Sequence, residues 1–482
     1  MGDLFVGIDL GSTRVKVVVA TPDGRVVQRV QDDIPTATGP SGEMEQDPSA
    51  WWQSLRTCLA RLDDPRRVVA LGLTGQMQDL VPVAGSRPVR RALLYSDVRA
   101  SHEAQRLHQL LTDWESTTAN QQDASSVAAK IGWLAQHEAS SLKASRQLLL
   151  GAPGYLMMRM TGRAVCDPVT ASTTGLLDVA GRCWSFDVLE ACGASPELLP
   201  ELVDGDAVGE LSAAAARDLG LLSGIAVVHG MGDAGAATDG LVGTTPGSAY
   251  VNLGTTGWVA GVVDGLPGEV TSTHQLVMPG WSSTLRIGAV LSAGATAEWA
   301  RRQFFDGLDF DDLDRVLAER VLELDNRPLC LPGLGGERTP VRDESLRGTF
   351  VGITRRTDPG DLYLAALTGV AMGLRHAAGD MGWRQDRIAL AGGGADSDLW
   401  RQVLADVFAA TVVTGDLTEP GAWSALRAAA RAVGAEPPAP LVKDLAEPQL
   451  TQPSWMAHRY EDQIEAHRAL YDAVAPICRA LV

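Results

Sequence analysis

Apolar residues in this chain fall into two kinds of run. Short dense runs bounded by glycine or proline read as buried strands. Longer stretches with apolar positions three and four apart read as helices. Strands are predicted over 4–10, 15–20 and 25–30, joined by the turn Gly11-Ser-Thr13 and the hairpin signal Pro22-Asp-Gly24. A helix is predicted over 48–62, with Trp51, Trp52, Leu55 and Leu59 on one face, Asp47 placed to cap it and Pro48 at its first position. Residues 68–73 read as a buried strand leading into a polar loop, 74–80. Residues 93–99 read as a strand that ends in an acid and an arginine. Helices are predicted over 124–137, 154–161 and 213–219, and a hydroxyl-rich loop over 167–174.

The pattern then begins again. An apolar run, 225–228, ends in the glycine-flanked carboxylate Asp233, and small residues behind it read as a helix start. A strand over 249–253 meets the tight turn Gly254-Thr-Thr-Gly257. Beyond it come a helix over 290–304, a glycine-rich loop over 332–340, a strand over 348–353 and a buried helix over 362–381. A strand over 387–391 runs into Gly392-Gly-Gly394. Asp396 or Ser397 can cap the helix that begins near Asp398. Further helices are predicted over 420–434 and 459–481. When the two starts are aligned, Asp9 falls opposite Asn252 and Gly11 opposite Gly254. Each is followed by an Asp-Gly turn, at Asp23-Gly24 and Asp264-Gly265. The repeat predicts two related α/β domains, 1–242 and 243–482, with a cleft between them.

Two glycine-hydroxyl turns, each close to an acid, suggest a site for phosphate and a metal ion. Backbone N–H groups of Gly11, Ser12 and Thr13 can face a phosphate, and Asp9 can hold Mg²⁺ through water. For one such turn taken alone, a second reading is open: Asp9 and Ser12 merely satisfy turn backbone groups. Its recurrence favours the phosphate reading. Gln78, Asp97 and Arg99 can hydrogen-bond a polyhydroxylated ligand; an ordinary Asp–Arg pair at a strand end is the alternative.

Composition narrows the partner. At 482 residues the chain exceeds one ordinary core, and 45% hydrophobic with 21% charged residues is globular usage. A net charge of -18 argues against a nucleic acid partner. An anionic substrate then needs local cations or Mg²⁺. The six cysteines are scattered without zinc-ligand spacing and read as reduced thiols. No basic-then-apolar leader and no membrane-length apolar run is visible, so the expected location is the cytoplasm.

Together these segments resemble the FGGY family of carbohydrate kinases, within the actin and hexokinase superfamily. Gly7-Ile-Asp-Leu-Gly-Ser-Thr13 with Lys16 resembles the first phosphate motif. Gly230-Met-Gly-Asp233-Ala-Gly resembles the motif carrying the catalytic acid, and Leu390-Ala-Gly-Gly-Gly394 the adenosine motif. Ser125 to His137, with Lys130 and Trp133, and Gly348 to Thr368 resemble the two family signatures. Within the family the chain is most similar to the xylulokinases, through Gly75-Gln-Met77 and the position of Asp233. It departs from them at Gln78-Asp79, where His-Gly is usual, and at Tyr95, where Trp is usual. The signatures also depart at Val127 and Thr368.

The resemblance implies two ribonuclease H-like (actin-like ATPase) domains. It implies ATP and Mg²⁺ as cofactors, with Asp233 as general base and Asp9 and Asp233 as metal carboxylates. The nucleotide set is Gly11, Ser12, Thr13, Lys16, Gly254, Thr255, Thr256, Gly392, Gly393, Gly394 and Asp398. The sugar set is Gln76, Met77, Gln78, Asp97, Arg99 and Asp233. The implied reaction is phosphorylation of a small-molecule sugar, D-xylulose first, with another pentulose, a heptulose or a polyol as the alternative. A non-catalytic sugar or nucleotide sensor is the reading of a different class. A homodimer is a further expectation, with neither nucleic acid nor membrane as partner.

Overall fold

The computed structural model describes residues 3–481 except 324 and 326. Its first sheet has six strands: β1 (Leu4–Leu10), β2 (Arg14–Ala20), β3 (Val26–Asp33), β4 (Val68–Gly75), β5 (Ala207–Glu210) and β6 (Ala226–His229), in the order β5-β6-β4-β1-β2-β3. β1, β2 and β3 are antiparallel neighbours, β1, β4 and β6 run parallel, and β5 returns antiparallel.

The second sheet comprises β7 (Ala249–Leu253), β8 (Gly257–Asp264), β9 (His274–Val277), β10 (Ser283–Val290), β11 (Arg387–Ala391), β12 (Thr411–Thr414) and β13 (Gln449–Thr451). Its order is β9-β10-β8-β7-β11-β12-β13. Its directions reproduce the first sheet strand for strand, with β9 added at one edge. The internal repeat read from Asp9 and Asn252 is therefore a repeat of topology: each residue sits one place before the end of the first strand of its sheet.

Six helices matter to the site: α1 (Val127–His137), α2 (Asp233–Leu241), α3 (Pro359–Asp380), α4 (Asp398–Phe408), α5 (Pro420–Ala432) and α6 (Ala457–Leu481). α3 carries an apolar, small-residue sequence and is buried along most of its length. Asp358 caps it with a reciprocal bond to Asp361, and Pro359 supplies its first turn.

α5 comes from the second half of the sequence but lies on the first sheet, beside α2. Trp423 and Leu426 are its only large buried apolar residues; alanines make up most of the rest. Close backbone approach therefore replaces side-chain bulk. A Cβ on Gly7 would fall 1.9 Å from the Ala422 oxygen, and one on Gly240 would fall 2.0 Å from that of Pro420. Ser424 Oγ and Arg427 Nε both donate to Asp239 Oδ2 on α2, at 2.8 and 3.1 Å.

Four local expectations change. Residues 74–80 are not a loop: β4 ends at Gly75, whose φ of 151° makes a sharp bend, and a strand, Met77–Ala84, follows. Residues 167–174 contain a buried helix, Pro168–Ser172, because Asp167 caps it and Pro168 opens it. The Ser172, Thr173 and Thr174 hydroxyls bond back to the carbonyls of Pro168, Thr170 and Ala171 instead of facing water. The strand near 93 covers only Ala92–Leu93. Val290 closes β10, and the helix behind it starts at Gly294.

Candidate active site

Two carboxylates face one crevice. Asp9 stands near the end of β1, directly opposite Lys16 on β2 and Thr74 on β4. Its carboxylate meets the start of α5, where a Cβ on Gly421 would stand 2.6 Å from Oδ2. Burial raises its pKa, Lys16 pulls it down, and Glu419 pushes it up.

Asp233 is the first residue of α2, and its Oδ1 accepts the Ala234 N–H at 2.7 Å. The side chain is open to solvent at the floor of the crevice, yet protein surrounds it. That enclosure raises its pKa to about 7; the charge of Asp9 adds to the rise, and Asp167 adds again. Carboxylates 224 positions apart in sequence thus feel each other's charge.

Asp167 supports the turn that carries Asp233. Its Oδ1 accepts the Gly232 N–H at 3.2 Å and the Thr170 N–H at 3.0 Å. Thr74 Oγ1 on β4 donates to the Met231 carbonyl at 2.6 Å. The base is therefore mounted on a strand end, a helix start and a capping acid, all parts of the first half.

The phosphate loops lie at equivalent ends of the two sheets. The Gly11 N–H does not face a ligand: it closes its own turn onto the Arg14 carbonyl at 2.9 Å, and Gly254 does the same onto Thr256 at 2.9 Å. The N–H groups of Ser12 and Thr13, and of Thr255 and Thr256, close no such turn bond. Gly392 packs on the second loop: with φ of 88°, a Cβ there would lie 2.5 Å from the Leu253 oxygen. Gly394 lies against the Leu253 side chain, whereas Gly393 has open space around it. Ser397, not Asp396, caps α4. Asp398, at the first position of α4, is paired with Arg401, a partner that sequence reading did not foresee.

A cavity of about 240 Å³ lies between the halves. Met77, Gln78, Asn120, Asp123 and Ser125 line one wall; His274, Ile287, Arg338 and Arg342 line the other. Met77 stands between this cavity and the turn that carries Asp233: a Cβ on Gly232 would fall 2.8 Å from its Sδ, and Asp233 itself does not line the cavity. Gln78 holds a left-handed backbone, φ 64°, which a residue with a Cβ adopts only under constraint.

Three residues of the expected sugar set are placed elsewhere. Gln76 is buried behind the first phosphate loop. It donates to Gln46 Oε1 at 3.0 Å, and Gln46 Nε2 holds the Ser12 carbonyl at 2.6 Å. Asp97 and Arg99 close on each other in a fork, Nε to Oδ1 at 3.0 Å and Nη2 to Oδ2 at 2.7 Å. Met44 N–H also bonds Asp97, Glu45 pairs with Arg99, and Trp133 of α1 stacks on the guanidinium. With these partners the pair buttresses the wall and does not line the cavity.

Two residues not assigned a role in the sequence lie behind Gln78. Lys130 of α1 is fully buried and donates to the Gln78 and Leu94 carbonyls at 3.2 and 2.6 Å. Asp79, also fully buried, accepts the Tyr95 N–H at 2.9 Å. Burial pushes the acid up and the amine down, and each charge opposes the other's shift.

Among the described residues no group of three or more His, Cys, Asp or Glu side chains could hold a metal by itself. A crevice with two mutually repelling carboxylates and the single compensating lysine Lys16 nonetheless fits Mg²⁺, which takes one or two carboxylates and completes its shell with phosphate and water. All six cysteines are unpaired, and no helix among the described residues is long and apolar enough to cross a membrane.

Two halves of one sheet topology, each with a glycine-hydroxyl turn after its first strand, have the ribonuclease H-like (actin-like ATPase) architecture. The chain belongs to the FGGY family of carbohydrate kinases. The family's N-terminal domain matches residues 4–240, and its C-terminal domain matches residues 249–433. Xylulose kinase of Escherichia coli K12 is 32% identical over 416 residues, 84% of each chain. Xylulose kinase of Klebsiella pneumoniae is also 32% identical, over 97% of this chain and 96% of its own. A solved structure described as a xyloylose kinase from Brucella ovis superimposes with a TM-score of 0.88, covering 98% of this chain and 100% of its own at 27% identity.

Proposed function

We propose that this carbohydrate kinase transfers the γ-phosphoryl group of ATP to a hydroxyl of a ketose, D-xylulose in the first instance, with Asp233 as general base. The observation that carries the reading is the setting of Asp233: solvent-accessible, raised towards neutrality, and on a turn that Met77 separates from a polar cavity of sugar size. The relatives named above supply the acceptor, since they are xylulose kinases.

Phosphoryl transfer asks mainly for alignment and charge stabilisation. Asp233 accepts the proton of the attacking hydroxyl as the new O–P bond forms. The bond to the bridging oxygen breaks, and the electron pair leaves on ADP. A carboxylate titrating near 7 is a better proton acceptor than an ordinary one at about 4. Asp9 and Asp233 would hold Mg²⁺, which would supply neutralisation of the phosphate charge. Lys16 and the Ser12–Thr13 and Thr255–Thr256 amides hold the phosphates from opposite halves. Gly392 to Gly394, with Asp398 beside them, receive the adenosine. We assign sugar and base to residues 1–242 and nucleotide to 243–482, with α5 as the part of the second half that serves the first. One chain supplies both walls, so the site does not require the expected homodimer.

The test is Asp233→Ala: sugar-dependent ADP formation disappears while nucleotide binding persists. Unimpaired turnover removes Asp233 from the mechanism. Gln78, in the cavity wall where xylulokinases usually carry histidine, supports a second reading, with another pentulose, a heptulose or a polyol as acceptor. A sugar panel with coupled ADP detection separates the two, and a clear preference for xylulose rejects the second.

A further inference from the structure

Contacts between the halves close the cavity on two sides, and they differ in kind. On the inner side Asn120 and Gln275 bond each other. Asn120 Nδ2 donates to the Gln275 carbonyl at 2.7 Å, and Gln275 N donates to Asn120 Oδ1 at 2.8 Å, both buried. Opening this stitch would strand buried polar groups, so it holds. At the mouth, Arg342 crosses from just beyond the glycine-rich loop. Its Nη1 donates to Gln121 Oε1 at 2.5 Å and its Nη2 to Asp123 Oδ2 at 3.3 Å. Arg342 and Asp123 keep 38% and 46% of their side-chain surface in water, so this contact can break without such a loss.

The other oxygen of Asp123 leads inward. Oδ1 accepts the Ser125 N–H at 2.8 Å and the Ser125 hydroxyl at 2.6 Å. With its proton committed to Asp123, the hydroxyl can only accept, and it accepts Gln78 Nε2 at 3.1 Å. The same nitrogen also donates to the Ser125 carbonyl at 3.2 Å. A carbonyl never donates, so chemistry assigns the amide: nitrogen towards Ser125, oxygen away from it. The left-handed Gln78 backbone is held from behind by Lys130.

We propose that Arg342 is a positioning residue for the acceptor sugar: by gripping Asp123 across the mouth it orders the chain Asp123–Ser125–Gln78 and so aims the Gln78 carboxamide oxygen at a sugar hydroxyl. This rests on reading the cavity as the sugar site, and it adds both the residue that sets Gln78 and the polarity that Gln78 presents. A neutral histidine can present a donor or an acceptor to the same place; the fixed amide oxygen demands an O–H donor from the ligand.

The experiment measures KM for sugar and for ATP, at low and high salt, in the full-length wild type, Arg342→Met, Arg342→Lys, Gln78→Ala and the double variant Arg342→Met/Gln78→Ala. Arg342→Met raises the sugar KM about fivefold, the scale of a half-exposed ion pair. It leaves the ATP KM within about twofold, and Arg342→Lys recovers part of the loss. The wild-type sugar KM rises with salt, and that of Arg342→Met does not. In the Gln78→Ala background, removing Arg342 adds nothing further. Where Gln78→Ala turns over too slowly to assay, calorimetric sugar binding makes the same comparison, and an unchanged melting temperature for Arg342→Met shows the fold intact. An Arg342 effect that persists whole without Gln78 overturns the proposal, as does an equal rise in both KM values. If the wild type forms no ADP with any sugar, the cavity reading itself fails; turnover with an unchanged sugar KM in Arg342→Met removes this inference alone.

Discussion

Asp9 and Gly421 touch across the two halves of the sequence: a Cβ on Gly421 would stand 2.6 Å from the Asp9 Oδ2. The contact places the start of α5 directly against one carboxylate of the crevice. Gly421→Ala therefore has to push the Asp9 side chain aside. Because the clash is with the end of a side chain and not with backbone, the fold should survive. The expected result is a fall in kcat of about tenfold or more, since small misplacements at a reacting centre are costly. Melting temperature should stay close to wild type. Steady-state kinetics with a melting curve checks both, and wild-type kcat would show that Asp9 can move freely.

Gly72 makes the opposite kind of contact. A Cβ there would fall 1.8 Å from the Ala425 carbonyl oxygen, and backbone cannot step aside. Gly72→Ala should lift α5 from the first sheet and destabilise the protein by about 3 kcal/mol, the upper end of ordinary overpacking. Denaturant unfolding measures this.

The Asp233 carboxyl, raised to about 7 before any cation binds, sets the acid limb of the kcat/KM profile, which reports the free enzyme. The sign follows from its role. The base must be ionised, and burial, Asp9 and Asp167 all disfavour ionisation, so activity falls as pH drops through that pKa. Asp167→Asn keeps an oxygen for the Gly232 N–H but removes one negative charge. The limb should move to lower pH. A limb unmoved in this variant would show that Asp167 only braces the turn.

Lys130→Met leaves Asp79 buried without its cation and releases two carbonyls. Each buried carbonyl left without its donor costs about 1–3 kcal/mol. The double variant Asp79→Asn/Lys130→Met should recover only the part that comes from the Asp79 charge. It should not recover the sugar KM, because the Gln78 carbonyl still lacks its donor. Unfolding curves and kinetics on the same three proteins make the comparison.

Much of this molecule was legible from residue order because strands, helix caps and turns are local. The repeat of Asp9-Leu-Gly11 in Asn252-Leu-Gly254 foretold two sheets of one topology. Pro48 with Asp47, and Ser397, announced helix starts where they act. Asp233, a lone acid after a strand and weak evidence by itself, could be picked out because Gly230-Met-Gly-Asp233-Ala-Gly resembles the family motif that carries the catalytic acid. Where the structure adds to the reading, the reason is also local. Residues 167–174 look polar, but Ser172, Thr173 and Thr174 bond carbonyls one turn back; Asp97 and Arg99 have the ordinary ion-pair alternative filled, with Glu45, Met44 and Trp133 as further partners.

The sequence by itself determined most of the elements and their repetition, and it singled out Asp233 as a candidate, since each depends on neighbours within a few positions. Only the tertiary structure decided that α5 lies on the first sheet, that Asp9 raises the pKa of Asp233, and that Arg342 reaches Asp123 from 219 positions away. The physical reason is that a charge or a hydrogen bond acts over a few ångströms of space, and distance along the chain carries no record of which groups folding brings that close.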